Sequence, residues 1–331
     1  MSDVYNLNGK VRIIVDAPAR YRAYFRNEYA RISTDHTSAD CPDVTLKLVD
    51  AIDPAEKQSV HYKGLFRFNF AVRDLAGPSP VLLFEKHWLD RFYVTAVGAF
   101  VQGQLLEPIL YQKLLETDVL FMHAAGVSKD GKAFVFPAEG GTGKTTLSLS
   151  LMQNGYALMG DDLLMVDAQT GLVFPYARPL HLFTYNLKTL RPPLRIQLAI
   201  AAKDVIRTAI AVVTGRRFLI STRAHAEEIF ETTRSGPAPL QRVVFLQREG
   251  DSAALDLTSP QGVQQATDAI IGSADLNTSL MENIGMSPET GDLERSVIQK
   301  ALRHVDQLQF VNARDMRSDH ERLAFAEAHL V

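Results

Sequence analysis

The chain has 331 residues, of which 46% are apolar and 22% are charged, with a net charge of −3 and one cysteine, Cys41. This composition allows a sizeable buried core and excludes an intramolecular disulfide, a cysteine-rich zinc site and the broad basic surface typical of nucleic-acid-binding proteins. Because no apolar run reaches the length of a membrane span and the N-terminus lacks a signal-peptide core, we expect a cytoplasmic protein that binds neither membranes nor nucleic acid.

Residues 1–115 predict an N-terminal α+β domain. Residues 10–17 alternate between apolar and polar side chains, which indicates a strand. The next segment carries Tyr21, Phe25 and Tyr29 at helical spacing, so residues 19–32 predict a helix with an aromatic stripe facing the core. Further strands are predicted, with antiparallel pairing, in residues 43–50, 59–72 and 80–88, and a helix in residues 104–118.

Residues 116–331 predict an α/β domain in which strands alternate with helices. Asp130 and Gly131 mark the turn of a hairpin, and the helix that follows ends at Asn154 and Gly155. The remaining predicted elements are a strand pair that turns at residues 169–171, a strand in residues 241–250 and an amphipathic helix in residues 294–313.

A glycine-rich segment between the hairpin and its following helix predicts a phosphate-binding loop. The segment matches the Walker A pattern except that Ala138 replaces its first glycine. Its glycines let backbone N–H groups converge on an anion, and the helix that starts there directs its dipole at the same point. We expect Lys144 to reach the β- and γ-phosphates of ATP and Thr145 to bind Mg²⁺. The predicted nucleotide-binding residues are Glu139, Gly140, Gly141, Thr142, Gly143, Lys144, Thr145 and Thr146.

Two adjacent carboxylates, Asp161 and Asp162, end the next apolar run. Near a metal and a phosphate, such a pair can divide its roles between binding Mg²⁺ and accepting the proton of an incoming hydroxyl. The residues by themselves leave open which of the two aspartates takes which role. The alternative is a solvated acidic turn without chemistry.

Single basic residues complete the candidate site. His123 precedes the hairpin that leads to the loop, and Arg178 follows the acidic pair, where it would neutralise charge on a transferring phosphoryl group. Arg242 and Arg248 flank a predicted strand, and Arg248 could face the nucleotide. The alternatives are a packed histidine and surface arginines.

The order of these motifs resembles a known family. His-Ala-Ala-Gly-Val, a hairpin, a short P-loop, a helix, Gly-Asp-Asp, a strand pair and Arg-Pro together resemble the C-terminal catalytic domain of HPr kinase/phosphorylase. The resemblance covers about residues 118–250, and the length and layout are similar to HPr-kinase-related kinases of the kinase B subgroup. It implies a P-loop domain akin to phosphoenolpyruvate carboxykinase, with His123 tuning proton transfer at the acidic pair. In that family one aspartate is the base and the other assists the metal, and we favour Asp161 as the base and Asp162, with Thr145, as the metal ligand.

The resemblance implies an ATP- and Mg²⁺-dependent kinase that phosphorylates a serine or threonine of a protein or peptide, as a homo-oligomer. The family's Gly-Arg-rich C-terminal turn has no counterpart here, so the resemblance implies neither phosphorylase activity, nor the family's hexamer, nor HPr as the acceptor. Residues 185–230 are rich in arginine and would dock the acceptor or contact another subunit, or form a solvated helical hairpin. Other open functions are a small-molecule kinase, a carboxykinase-like phosphoryl transfer and a non-catalytic nucleotide-binding switch.

Overall fold

The computed structural model of this chain has a mixed α/β architecture with mixed sheets. It describes residues 2–35, 41–62, 66–182, 187, 192–213, 222–230, 235–274, 284, 289–316 and 318–330. The chain divides into two compact units, Met1–Val119 with Leu276–Arg295, and Leu120–Asp275 with Ser296–Val331. The predicted domains assigned residues 289–295 to the second domain, whereas these described residues belong to the first unit.

The first unit contains a six-stranded sheet in the order β1-β2-β3-β6-β5-β4. Strands β2, β3 and β6 run parallel, and the other neighbours are antiparallel. The strands are β1 (Ser2–Leu7), β2 (Val11–Asp16), β3 (Asp43–Val49), β4 (Gln58–Tyr62), β5 (Phe66–Arg73) and β6 (Val81–Glu85).

Helices of the first unit pack on an apolar core. The predicted helix at residues 19–32 is confirmed as α1 (Ala19–Tyr29), and its three stripe aromatics, Tyr21, Phe25 and Tyr29, are fully buried. Two further helices, α2 (Val94–Phe100) and α3 (Glu107–Leu115), are joined by a π-helical segment, Val101–Leu106. The predicted antiparallel pairing is confirmed for β4 with β5 and for β5 with β6, but it was wrong for β3 and β6, which pair in parallel. Residues 59–72 contribute to two strands instead of one.

The second unit contains a nine-stranded sheet, counted over the described residues. Seven strands follow the order β10-β8-β9-β15-β12-β11-β7, and β17 pairs with both β15 and β16. Their bounds are β7 (Val119–Met122), β8 (Ala124–Lys129), β9 (Lys132–Pro137), β10 (Ala157–Gly160), β11 (Leu164–Asp167), β12 (Leu172–Phe174), β15 (Ala238–Gln247), β16 (Ala253–Leu255) and β17 (Gln307–Asn312). Strands β13 (Leu180–Leu182) and β14 (Thr222–Ala224) form a separate antiparallel ribbon.

The helices described after β9 are α4 (Lys144–Gln153), α5 (Leu194–Val213), α6 (Ala226–Ile229), α7 (Pro260–Ser273), α8 (Glu289–Leu302) and α9 (Asp319–His329). Helix α4 is buried on two sides. Leu147 and Leu151 pack in a cluster that includes β8, β9 and α9, whereas Leu149 and Met152 pack in a second cluster with the β13–β14 ribbon and α5. This double packing fixes the helix, and therefore the loop at its N-terminus, relative to the sheet.

Most second-unit predictions are confirmed. The β8–β9 hairpin turns at Asp130 and Gly131, whose φ angles of 51° and 75° match the left-handed turn that an Asp-Gly pair favours. The predicted helix at residues 294–313 was wrong in its second half, because α8 ends at Leu302 and β17 begins at Gln307. Parallel pairing of β17 with β15 outweighed the helical periodicity, which continued only to Val305 and Leu308.

No helix in the described part of the chain is long and apolar enough to cross a membrane. The predicted acceptor-docking segment, residues 185–230, lies partly outside the described residues. The side chains that lie outside them include those of Arg191, Arg207, Arg216 and Arg217.

Candidate active site

The glycine-rich segment forms a loop between the end of β9 and the start of α4. Gly141 and Gly143 have φ angles of 75° and 109°, a left-handed backbone that glycine adopts without strain. Gly143 is the N-cap of α4, so the unpaired N–H groups of the first helical turn lie at the loop. Backbone N–H groups and a helix dipole at one point make a site suited to an anion.

Ala138, which replaces the first Walker A glycine, lies in extended backbone. It forms a parallel bridge with Leu246 of β15, is fully buried and is not among the residues with positive φ. A side chain at this position therefore costs the loop no backbone strain.

Lys144 bends back towards the start of the loop. Its Nζ donates to the carbonyl oxygen of Ala138 at 2.5 Å and lies 3.3 Å from Nε2 of His123. The side chain is 7% exposed, so its charge sits at the wall of a site with restricted access to water. A buried ammonium at a helix N-terminus favours an anionic ligand.

Asp161 accepts hydrogen bonds from hydroxyl groups of α4. Thr145 Oγ1 donates to its Oδ2 at 3.0 Å, and Ser148 Oγ lies 3.3 Å from its Oδ1. Burial, together with the neighbouring charge of Asp162, raises the pKa of Asp161 to about 6, although the two hydroxyl donors oppose the shift.

Asp162 contacts basic side chains instead of hydroxyl groups. Its Oδ1 lies 3.1 Å from His123 Nε2, and its Oδ2 lies 3.5 Å from Arg178 Nη2. Desolvation in the site opposes ionisation, but the hydrogen bond to His123 and the charges of Arg178 and Lys144 hold the pKa of Asp162 below its ordinary value. Its side chain is nevertheless 62% exposed, because it borders an open cavity.

His123 lies between β7 and β8, and its ring is held from both sides. Nδ1 is 2.5 Å from the carbonyl oxygen of Ser273, the last residue of α7. Since a carbonyl only accepts, this contact places a proton on Nδ1. Nε2 then either accepts from Lys144, when the ring is neutral, or donates to Asp162, when the ring is charged.

One cavity of about 590 Å³ brings most of these groups together. From the sequence-predicted site it gathers His123, Gly140, Gly141, Gly143, Lys144, Thr145, Thr146, Asp161, Asp162 and Arg178. Its size is that of an ordinary small-molecule site.

Four predicted residues are not among the described residues that line this cavity, namely Glu139, Thr142, Arg242 and Arg248. The Thr142 hydroxyl donates to the Glu139 carbonyl and closes the outer turn of the loop. Arg248 donates to the carbonyl of Gly140, so it contacts the loop itself. Arg242, on β15, does not line the cavity.

The cavity is also lined by three residues that were not predicted from the sequence, namely Tyr176, Pro179 and His181. The guanidinium of Arg178 lies 5.4 Å from the ring centre of Tyr176, an arrangement that holds it over the aromatic face. His181 alternates with buried Leu180 and Leu182, and this period-2 pattern was the available signal for a cavity-facing histidine.

The oxygen donors fit Mg²⁺. Thr145, Asp161 and Asp162 supply hard oxygens at the helix N-terminus, which is how Mg²⁺ is held when phosphate oxygens complete its shell. Within the described residues no cluster of three or more His, Cys, Asp or Glu side chains could hold a metal without such help. The metal would therefore bind together with a nucleotide.

Comparison with known proteins adds no family assignment. No protein-family model matches this chain, and no curated protein sequence matches it either. The geometry of the site is therefore the basis for assigning a function to this chain.

Proposed function

We propose that this chain is an ATP-dependent kinase of the HPr kinase type, with a P-loop catalytic domain akin to phosphoenolpyruvate carboxykinase. It transfers the γ-phosphate of ATP to a serine or threonine hydroxyl of a protein or peptide. One observation carries the proposal: a single cavity contains a glycine-rich helix N-terminus, Lys144, Thr145 and two adjacent carboxylates.

The loop side of the cavity suits the donor. The N–H groups at Gly141 and Gly143 bind the phosphates, and the Lys144 ammonium orients the β- and γ-groups. Thr145 and Asp162 would hold Mg²⁺, which neutralises charge on the phosphates when it is bound.

The carboxylate side suits the acceptor. Asp161, whose pKa is raised towards neutrality, accepts the proton of the attacking hydroxyl, and a base works best when its pKa is near the working pH. Asp162 remains ionised beside His123 and Arg178, as a metal ligand must. Arg178, held over Tyr176, offsets charge on the phosphoryl group in flight.

The first test is removal of the lysine charge. We expect Lys144→Ala to weaken Mg·ATP binding about 10- to 100-fold, since hydrogen bonds to a charged group contribute about 1.5–3 kcal/mol each. The measurement is isothermal titration of Mg·ATP into the full chain. Lys132→Ala is the matched control, because Lys132 is exposed at the hairpin turn and should leave the affinity unchanged.

Equal affinity in Lys144→Ala and wild type would refute the phosphate cradle. Incubation with γ-labelled ATP and a cell lysate then tests for transfer, and the labelled band identifies the acceptor. A non-catalytic switch would bind Mg·ATP with Lys144-dependence and label nothing.

A further inference from the structure

Tyr176 contacts both end strands of the seven-strand path that runs from β10 to β7. Its backbone N–H donates to the carbonyl oxygen of Met159 on β10 at 2.7 Å. Its ring packs edge-to-face on the ring of Phe121 on β7, with 4.9 Å between the ring centres. The tyrosine is 1% exposed and also lines the cavity, so a core residue forms part of the cavity wall.

The two contacted strands lead directly to the site. His123 follows the contacted residue of β7 by two positions, and Asp161 follows the contacted residue of β10 by two positions. These two strand ends meet where His123 Nε2 lies 3.1 Å from Asp162 Oδ1. Tyr176 therefore ties together the segments that carry the histidine and the acidic pair.

Arg178 is placed by the same tyrosine. The segment between β12 and β13 begins at Pro175 and ends at Pro179, and Arg178, as the residue before a proline, is biased to extended backbone. The Arg178 N–H donates to the Tyr176 carbonyl oxygen at 3.0 Å, and the guanidinium lies 5.4 Å from the centre of the tyrosine ring. The same guanidinium reaches Asp162, whose Oδ2 is 3.5 Å from Nη2.

We propose that Tyr176 is the positioning residue of this site. Its aromatic face holds the Arg178 guanidinium beside the acidic pair, where the guanidinium meets the phosphoryl group during transfer. This inference rests on the proposed function, because that phosphoryl group is the one that the kinase transfers. The ring carries the role and the hydroxyl does not, since an aromatic face attracts a cation through its quadrupole.

The physical argument is that the guanidinium is oriented before the reaction. Charge that develops in the transition state is stabilised best by groups that need no reorientation at that moment. An arginine side chain has much rotational freedom, and packing it over a buried ring removes that freedom when the chain folds. Loss of the ring should therefore weaken binding of the transition state and leave binding of the ground state unchanged.

The test uses the full chain and a mimic of the transferring group. Affinity for Mg·ADP is measured by isothermal titration with and without fluoroaluminate, which takes the place of the phosphoryl group. We expect fluoroaluminate to strengthen binding to wild type, and the ratio of the two affinities is the readout. Tyr176→Leu should lower that ratio about 3- to 30-fold, the range of a cation–π contact, with Mg·ADP affinity unchanged. Tyr176→Phe, which retains the ring, should keep the wild-type ratio.

Tyr156→Leu is the matched control. Tyr156 is also a buried tyrosine of the second unit, with Lys129 Nζ 4.7 Å from its ring centre, but it is not among the described residues that line the cavity. This variant loses similar packing and should keep the wild-type ratio. In a double-mutant cycle, Tyr176→Leu should have no further effect in an Arg178→Gln background, because the tyrosine acts through the arginine.

The inference is overturned if fluoroaluminate does not strengthen binding to wild type, if Tyr176→Leu keeps the wild-type ratio, or if its effect adds in full to that of Arg178→Gln. It is also overturned if Tyr176→Leu weakens Mg·ADP as much as the fluoroaluminate complex, or if Tyr176→Phe lowers the ratio equally. Failure of Mg·ADP to bind wild type would instead contradict the proposed kinase, and with it any role of Tyr176 in phosphoryl transfer.

Discussion

Asp161 and Asp162 are neighbours in the chain, but their surroundings differ in kind. Asp161 is desolvated beside the charge of Asp162, so its pKa rises to about 6 although it accepts hydrogen bonds from two hydroxyl groups of α4. Asp162 contacts His123 and Arg178, so it stays ionised. Two carboxylates whose pKa values are pushed apart are suited to different roles in one reaction.

The division of roles can be measured at each residue. We expect Asp161→Asn to retain Mg·ATP binding and to lose at least about 100-fold in phosphoryl transfer, since general-base catalysis contributes roughly 10²–10⁴-fold. Asp162→Asn should instead raise the Mg²⁺ concentration needed for half-maximal ATP binding. Calorimetry at several Mg²⁺ concentrations, combined with labelled-phosphate transfer, separates the two variants.

Thr145, a predicted Mg²⁺ ligand, contacts Asp161, so the opposite assignment of roles to the two aspartates is tested by the same experiment. If Asp161→Asn alone raises the Mg²⁺ requirement, Asp161 is the metal ligand and Asp162, beside His123, is the base.

The element that defines the site is the turn from β9 into α4. Helix α4 is held between two apolar clusters, and the loop is held at its outer side by Arg248, which donates to the Gly140 carbonyl. A β-carbon on Gly141 would lie 3.1 Å from that guanidinium, so the loop and the arginine fit closely. The N–H groups are thus fixed before a ligand arrives, which reduces the entropy lost on binding.

Gly143 allows this turn to be tested without steric conflict. Its φ is 109°, and an added β-carbon would meet no atom within 4 Å. Gly143→Ala therefore changes backbone preference alone, at a cost of about 1–2 kcal/mol for a left-handed residue. We expect Mg·ATP affinity to fall about tenfold by isothermal titration, as the loop relaxes from the anion-binding conformation.

Gly291→Ala is the control for Gly143→Ala. Gly291 lies in α8 with equally open surroundings and without a positive φ, so alanine should raise helix stability by up to about 1 kcal/mol and leave the affinity unchanged. Identical ATP affinities in Gly143→Ala and wild type would show that the left-handed turn is not needed.

At the scale of the whole molecule, the two carboxylates of the site change the stability of the folded chain with pH in opposite directions. The pKa of Asp161 is raised on folding, so its ionisation destabilises the folded chain as pH rises from about 4 to about 6, and the penalty is constant above that. The pKa of Asp162 is lowered, so its contribution is stabilising above its ordinary pKa and is lost only as pH falls through the lower folded value.

Because the two pKa shifts have opposite signs, we expect the two variants to change the melting temperature in opposite directions. Without nucleotide or metal at pH 8, Asp161→Asn should raise the melting temperature and Asp162→Asn should lower it, at roughly 2–4 °C per kcal/mol for a unit of this size. The gain from Asp161→Asn should disappear near pH 4, where the wild-type carboxyl is protonated. Scanning calorimetry of the transition that Mg·ATP shifts is the measurement, and a gain that persists at pH 4 would contradict the explanation.

Local patterns were enough for much of this protein. The aromatic spacing of Tyr21, Phe25 and Tyr29 predicted α1, Asp130-Gly131 predicted the β8–β9 turn, and the glycine cluster predicted a strand–loop–helix junction at Lys144. Each of these features depends on backbone preferences or side-chain periods within a few residues, so it can be derived from sequence.

Other features depended on residues far apart in the chain. The helical pattern of α8 continues to Leu308, but residues 307–312 become β17 because β15 offers a parallel partner. Residues 289–295 join the first unit across a long separation in sequence. His181 and Arg223 face one another only because β13 and β14 pair, and the Ser273 carbonyl orients His123 from 150 residues away. Pairing, burial and charge between distant segments are properties of the folded chain, so they set the orientation of the site and the pKa values of its carboxylates.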